Sequence, residues 1–443
     1  MLKKVLIANR GEIAIRIIRA CKELGIESVA VYSEGDIDSL HIRLADESVC
    51  IGPPSPRHSY LSIPRIISAC EITGAEAVHP GYGFLAENPR FAEICEENGI
   101  KFVGPTPESI RLAGNKLNAR IEMEKIDLPV IPGSNTPIES VEEAQKIADQ
   151  IGYPVLLKAA LGGGGRGIRV VNDPVELEKL FPIAKEEAKT AFGDSRVYIE
   201  KYFESPRHIE VQILADEYNN IIWLGERECS IQRRHQKLIE EAPSPIITPE
   251  QREKIGNYAV IAARIMKYRS AGTIEFLLDK DNNFYFLEVN SRIQVEHPIT
   301  EIVTGIDIVK EQLKIAMGKK LEINQEDVKI KGHAMECRIN AENYKNGFIP
   351  SPGRITGLYI PGGPGIRVDT CLYSGYQVPS NYDSLIAKLI AYGDIRAECI
   401  ARMERALDEF LIEGIHTTIP FHQEIIKDER FKRGEIHTQL VKI

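Results

Sequence analysis

Long apolar runs are missing from this 443-residue sequence. No stretch approaches the roughly 18 consecutive apolar residues that a membrane-spanning helix needs, so no membrane partner is expected. The opening Met1-Leu2-Lys3-Lys4 superficially resembles a secretory signal, but the apolar run Val5 to Ala8 ends at Asn9-Arg10, too short for one. Cysteine is sparse. The eight residues are scattered, with Cys50 and Cys70, 20 positions apart, the closest pair. That spacing excludes zinc knuckles, and a chain this long needs no disulfide staples, so a reduced cytoplasmic protein is expected. An excess of positive charge is absent too: 55 Lys and Arg against 64 Asp and Glu leave a net charge of −9. No basic stripe is available to track a nucleic-acid backbone. With 43% hydrophobic and 27% charged residues, composition is that of an ordinary globular protein, excluding disorder and collagen-like repeats. The length suggests about three domains.

What is present is an alternation of short apolar runs and helical patterns. Val5 to Ala8 reads as a buried strand. Glu12 to Leu24 reads as a helix with Ile13, Ile17 and Cys21 on one face, and Ser28 to Tyr32 as the next strand. Strand, helix and strand in this order predict a parallel sheet. The first turn, Asn9-Arg10-Gly11-Glu12-Ile13-Ala14, has one glycine and a glutamate where pyrophosphate would lie, which argues against nicotinamide dinucleotide binding. Ala77-Val78-His79, a Gly81/Gly83 turn and Lys101 to Val103 continue the alternation. Hairpins mixed with helices follow from about residue 115 to 310. After about 330, Gly/Pro turns such as Pro361-Gly362-Gly363-Pro364-Gly365 precede an amphipathic helix near Ala397 to Leu411.

Val155-Leu156-Leu157-Lys158 and Ile168-Arg169-Val170-Val171 are strand-like and flank Leu161-Gly162-Gly163-Gly164-Gly165-Arg166-Gly167. Gly162, Gly164 and Gly167 satisfy GxGxxG, yet a Rossmann fingerprint needs a helix next and a Walker loop needs Lys and Ser or Thr. The segment is instead a hairpin tip of nearly bare backbone, able to fold over phosphates, with Lys158 as a point charge at its base. Four consecutive glycines are entropically costly in an ordinary hairpin, which argues against a mere surface loop.

Ala271 to Leu278 and Phe284 to Asn290 read as two strands around a turn at Asp279 to Asn283. Glu288 and Asn290, two apart, share a face. Glu275 joins them if the loop closes with an even number of residues. Two carboxylates and an amide oxygen then suit a hard cation such as Mg²⁺ completed by substrate phosphates. A polar outer face of a sheet is the alternative.

Three polar runs complete the pattern: Glu228 to Lys237, Ser291-Arg292-Ile293-Gln294-Val295-Glu296-His297-Pro298, and Glu336-Cys337-Arg338-Ile339-Asn340. Each alone reads as solvated charge. Together they resemble the biotin carboxylase family, as do Ile7-Ala8-Asn9-Arg10-Gly11-Glu12, His79-Pro80-Gly81-Tyr82-Gly83-Phe84, the glycine loop and Tyr382-Asp383-Ser384. The likeness covers nearly the whole chain. It implies a mixed α/β and α+β fold: a Rossmann-like N-terminal lobe over 1–112, an ATP-grasp domain over 113–315 with a lid at about 131–203, and a C-terminal carboxylase domain over 330–440.

The resemblance also implies roles. Lys116, Lys158, Gly164 and Gly165 hold ATP phosphates; Glu200, Lys201, Tyr202 and Phe203 contact adenine; His208, Gln232 and His235 line the nucleotide site. Glu275, Glu288 and Asn290 carry Mg²⁺ or Mn²⁺, with two ions expected. Bicarbonate lies against Lys237, Arg292, Gln294 and the Val295 backbone. Glu296 is the base, Arg338 holds the biotin ureido anion, and Tyr82 flanks the ring. The chain departs from the family pattern at Asn115, Leu161, Pro364 and Asn381. No biotinylation signature, a lysine between two methionines, is present: the one Met-Lys step, Met266-Lys267, is followed by Tyr268. Biotin is therefore expected on a separate carrier protein, with a separate carboxyltransferase and a homodimeric enzyme. Acetyl-CoA carboxylase is the first expectation for the assembly, a split pyruvate or acyl-CoA carboxylase the next. The rival readings are another acyl-phosphate-forming ATP-grasp ligase and a catalytically silent scaffold.

Overall fold

The computed structural model describes residues 2–160 and 167–441. Its first layer is a five-stranded parallel sheet, in the order Glu47–Cys50, Glu27–Tyr32, Lys4–Ile7, Ala77–His79 and Lys101–Phe102. The central strand is apolar after its first residue because both of its faces are covered. Val5 and Ile7 pack with Ile13 and Ile17, whereas Leu6 packs with Val29, Val78 and Phe91 on the other side. Strand order reverses between Lys4–Ile7 and Ala77–His79, so the loops after these two strands diverge and leave a crevice. Asn9 bridges the loops, donating from Nδ2 to the Pro80 and Tyr82 carbonyls at 2.7 Å each. Gly81 has φ +62°, and a Cβ there would lie 2.9 Å from that Nδ2, so the turn requires glycine.

The second layer is an eight-stranded antiparallel sheet. Its order is Phe284–Asn290, Ser270–Leu278, Arg207–Ala215, Ile221–Arg233, Gln236–Ala242, His333–Asn340, Leu385–Gly393 and Ile366–Thr370. Helix Pro249–Ile265, opened by a Thr248/Gln251 capping box, covers one end with Ile255, Ala259, Ala262 and Ala263. Helix Arg396–Glu409 covers the other end with Cys399, Met403 and Leu407. The sheet runs without a break from the central segment into the C-terminal one: Ile239 pairs with Cys337 and Glu240 with Glu336.

A three-stranded antiparallel sheet, Ile168–Val171, Val155–Ala159 and Val197–Lys201, stands apart. Helices Val141–Ile151 and Pro174–Phe192 cover it, and together they enclose a core of their own that includes Ala144, Val155, Leu157, Leu177 and Ile199. The hairpin expected around the glycine loop is present in its two strands. The Ala159 amide donates to the Gly167 carbonyl at 3.1 Å. Gly164 and Gly165 lie outside the described residues.

Candidate active site

A cavity of about 1030 Å³ opens where the crevice, the eight-stranded sheet and the three-stranded unit meet. The alternation of strands decides what faces it. In Arg207–Ala215, Ile209, Val211 and Ile213 enter the hydrophobic core, which turns His208, Glu210 and Gln212 to the opposite face. In His333–Asn340, Met335, Cys337 and Ile339 pack under helix Arg396–Glu409, which turns Glu336 and Arg338 to the cavity side.

Lys237 stands at the centre. Its ammonium donates to Glu275 at 2.9 Å, to Glu296 at 2.7 Å and to Glu210. Burial alone would discharge this lysine, but the three carboxylates more than offset that and raise its pKa well above the ordinary range. Glu296 lies between two cations, since Arg338 Nη2 donates to its second oxygen at 2.9 Å. Burial opposes ionisation of Glu296, yet Lys237, Arg338 and Arg227 hold its carboxyl well below the usual carboxylate range. Arg338 also donates from Nε to Glu240 at 2.6 Å.

Arg227, fully buried, orders the floor. It donates to Glu210 at 2.5 Å, to Gln212 at 2.7 Å and to Gln294 Oε1 at 2.9 Å. With its oxygen taken, Gln294 presents its amide nitrogen to Glu275 at 3.0 Å. Arg292 donates to Glu87 at 3.0 Å and to Asn290 Oδ1 at 3.1 Å, which aims the guanidinium along the cavity wall. The Tyr82 hydroxyl donates to Glu12.

Lys116 and Lys158 bring two further cations into the cavity from the other side. Lys116 sits 2.5 Å from Glu288, which raises its pKa, and Lys158 pairs with Glu200. Asn115 accepts from the Asn118 amide at 3.1 Å and so caps the helix that begins at Lys116. An asparagine performs this capping as well as an aspartate. His235 reaches the cavity from a two-residue turn in which Arg234 and His235 have φ +48° and +64°. That conformation ordinarily selects glycine or asparagine, so the pairing of the flanking strands holds the turn against its residues' own preference. Burial and the neighbouring Lys158 lower the His235 pKa. His208 Nε2 lies 2.9 Å from Glu275, whose charge outweighs burial and raises the histidine's pKa.

Glu275 and Glu288 face each other directly across their strands, with Asn290 opposite Thr273. The loop between the strands has the odd length of five residues, Asp279 to Asn283, so the simple register would pair Glu275 with Leu287. A register shift between Glu275 and Phe276 corrects this: Phe276 pairs with Phe286, then Glu275 with Glu288. Leu287 is the extra, bulged residue. The carboxylates thus converge by a bulge and not by an even loop. Asn290 Nδ2 donates to Glu275 at 2.8 Å. Two carboxylates and an amide offer oxygen ligands, and the residues present fit a hard divalent cation.

Three family models match the chain in order: "Biotin carboxylase, N-terminal domain" over residues 1–110, "Carbamoyl-phosphate synthase L chain, ATP binding domain" over 115–324, and "Biotin carboxylase C-terminal domain" over 336–442. Biotin carboxylase 1 of Bacillus subtilis is 56% identical over 442 residues, covering 100% of this chain and 98% of the relative. The chain belongs to the biotin carboxylase family. A pyruvate carboxylase subunit from Methanothermobacter thermautotrophicus is 57% identical over 441 residues, covering 100% of this chain and 90% of the relative. Among solved structures, the biotin carboxylase domain dimer of Hydrogenobacter thermophilus 2-oxoglutarate carboxylase, in complex with MgADP, ADP and bicarbonate, superposes with a TM-score of 0.96 at 52% identity. The match covers 99% of this chain and 97% of that one. Fold and activity are those of an ATP-dependent biotin carboxylase.

The cavity gathers most residues singled out from the sequence. Tyr82, Lys116, Lys158, Lys201, Tyr202, Phe203, His208, Gln232, His235, Lys237, Glu275, Glu288, Asn290, Arg292, Gln294, Val295, Glu296 and Arg338 all line it. Glu200 does not; its carboxylate is turned to Lys158. Sequence reasoning passed over Glu87, Glu210, Arg227, Glu240 and Lys388. Glu210 had a signal, since His208, Glu210 and Gln212 break an apolar run at every second position. Glu87 and Glu240 had none beyond ordinary charge.

Proposed function

We propose that this chain carboxylates biotin carried on a separate protein, using ATP and bicarbonate through carboxyphosphate, with Glu296 as the base. The observation that carries the reading is Glu296 held between Lys237 and Arg338, at 2.7 and 2.9 Å, in the cavity that also receives Lys116 and Lys158. Lys116 and Lys158, with Gly164 and Gly165, would hold the ATP phosphates. Glu200 to Phe203 would border adenine, and His208, Gln232 and His235 the rest of the nucleotide. Glu275, Glu288 and Asn290 would hold two Mg²⁺ or Mn²⁺ ions, which would supply positive charge to offset that developing on the phosphates.

Bicarbonate would lie against Lys237, Arg292, Gln294 and the Val295 amide. Glu296 takes its proton, the freed oxygen attacks the γ-phosphorus, and the bond to ADP breaks. A carboxylate with so low a pKa is a weak base, so the transfer depends on Lys237 and Arg292 stabilising the anion left behind. Carboxyphosphate cleaves to CO₂ and phosphate. The phosphate takes the ureido N–H proton, and the nitrogen's electron pair forms the bond to CO₂. Arg338 holds the ureido oxygen while negative charge accumulates, a task for a rigid guanidinium. Tyr82 flanks the ring.

The division into 1–112, 113–315 and 330–440, with 131–203 closing as a lid, belongs to the same proposal; the separate core of the three-stranded unit supports it. A homodimer, a cytoplasmic location, a biotin carboxyl carrier protein and separate carboxyltransferase subunits are parts of this proposal too. The final acceptor, in an acetyl-CoA carboxylase or a split pyruvate or acyl-CoA carboxylase, is set by that carboxyltransferase. Among the described residues no helix is long and apolar enough to cross a membrane.

The test is ADP release from the purified chain with MgATP, with and without bicarbonate and biotin. Bicarbonate-dependent release stimulated by free or carrier-bound biotin is expected. Arg338→Ala should keep the bicarbonate-dependent ATP cleavage and lose carboxybiotin formation, by a factor on the order of 10² or more. Glu296→Ala should lower both. Normal carboxybiotin yield from Arg338→Ala would overturn the role given to that residue.

A further inference from the structure

Lys388 is the only charged residue in the strand Leu385–Gly393, Leu-Ile-Ala-Lys-Leu-Ile-Ala-Tyr-Gly, and it is 0% exposed. Burying an ammonium is costly, and a methionine there would pack without that cost. Its contacts say what the charge does. Nζ donates to the Val295 carbonyl at 2.9 Å and lies 3.1 Å from Glu12, with Asp369 at 4.0 Å. The Val295 carbonyl belongs to the peptide plane that joins Val295 to Glu296. Glu12 accepts the hydroxyl of Tyr82. Arg338 is Lys388's partner on the neighbouring strand.

We infer that Lys388 is a positioning residue, locking the Val295–Glu296 peptide and the Glu12–Tyr82 pair to one cation so that the bicarbonate side and the biotin side of the cavity are held in a fixed mutual arrangement. The inference rests on the reading of the site given above. Lys388 touches neither substrate. It acts through the loop that carries the base and through the residue that restrains the tyrosine. Without it, the Val295 carbonyl loses its donor, and Glu12 loses its cation beside the Tyr82 hydroxyl.

The experiment is steady-state kinetics of Lys388→Met, which keeps the aliphatic stem, and of Glu12→Gln, which keeps the volume and an acceptor for Tyr82. The Michaelis constants for bicarbonate and biotin should rise about tenfold or more in Lys388→Met, while that for ATP stays within about twofold, because the bond to Val295 and the ion pair with Glu12 are both lost and neither touches Lys116 or Lys158. Glu12→Gln should shift the same two constants in the same direction, and it decides the matter if Lys388→Met fails to fold. A residue that only supports the fold would lower the melting temperature and leave the ratio of bicarbonate to ATP constants as in the unaltered chain. That ratio, unchanged in a folded variant, overturns the inference while the unaltered chain's activity leaves the reading of the site standing. An unaltered chain without bicarbonate-dependent, biotin-stimulated turnover overturns both.

Discussion

Glu336 is buried with no hydrogen-bond partner among the described residues on either carboxylate oxygen, directly across the strands from Glu240. Two buried carboxylates this close do not both ionise cheaply. Burial raises the Glu336 pKa well above the carboxylate range, while Glu240, pushed up to about 7 by burial, is the one that engages Arg338. Behind the same strand, His422 Nε2 donates to the Arg338 carbonyl at 2.7 Å, and burial lowers its pKa to about 4. The sign of its effect follows. As pH falls through about 6.5 the unfolded chain binds a proton that the folded one refuses, so stability is lost down to about pH 4. His422→Gln keeps the donor and cannot titrate. Between about pH 7.5 and 5 the unaltered chain should lose about 2 kcal/mol more stability than this variant, measured by denaturant unfolding at each pH. Equal losses would mean that the histidine is protonated in the fold. Lys388 was legible in outline, as one charge inside an apolar strand. Its partners were not, because they come from residues 12, 295 and 369.

At the scale of the element, the bulge at Leu287 decides whether Glu275 and Glu288 meet. Glu288→Ala removes one of the two carboxylates that the bulge brings face to face and leaves the ladder untouched. Mg²⁺-dependent ATP cleavage should fall by a factor on the order of 10² or more, with far-ultraviolet circular dichroism unchanged. Retained turnover in Glu288→Ala would show that the facing carboxylates are dispensable. Nothing in Phe284-Tyr285-Phe286-Leu287-Glu288-Val289-Asn290 announces a bulge, because the strand alternates acceptably in either register. Only pairing with Ser270–Leu278, itself paired to Arg207–Ala215, selects one. The Arg234–His235 turn is similar: its residues are poor formers of that turn, and the strands on either side impose it.

For the whole molecule, the continuous eight-stranded sheet makes the C-terminal third dependent on the centre. Strand His333–Asn340 pairs with Gln236–Ala242, and Arg338 takes its anionic partners Glu240 and Glu296 from outside residues 330–440. Removing those partners leaves Arg338 without a counter-charge beside a lysine that has lost Glu12. Residues 330–440 produced alone should therefore show no cooperative thermal transition by calorimetry. A sharp transition would show that this segment folds without the sheet that runs into it. Residues 131–203 enclose their own core, and their strands pair with one another.

The parallel sheet, the two strands flanking the glycine loop, the shared face of Glu288 and Asn290 and the three polar runs were legible in the chain, because each rests on the pattern of a few neighbouring residues. The family likeness carried the roles further than periodicity could. What only the folded molecule decided is long-range: the bulge that turns Glu288 to Glu275, the Arg227 floor, the sheet joining two apparent domains, and Lys388 tying residue 12 to residue 295. Each depends on which strand lies beside which. Local propensity contains no term for that, since the energies involved are pairings between groups far apart in sequence.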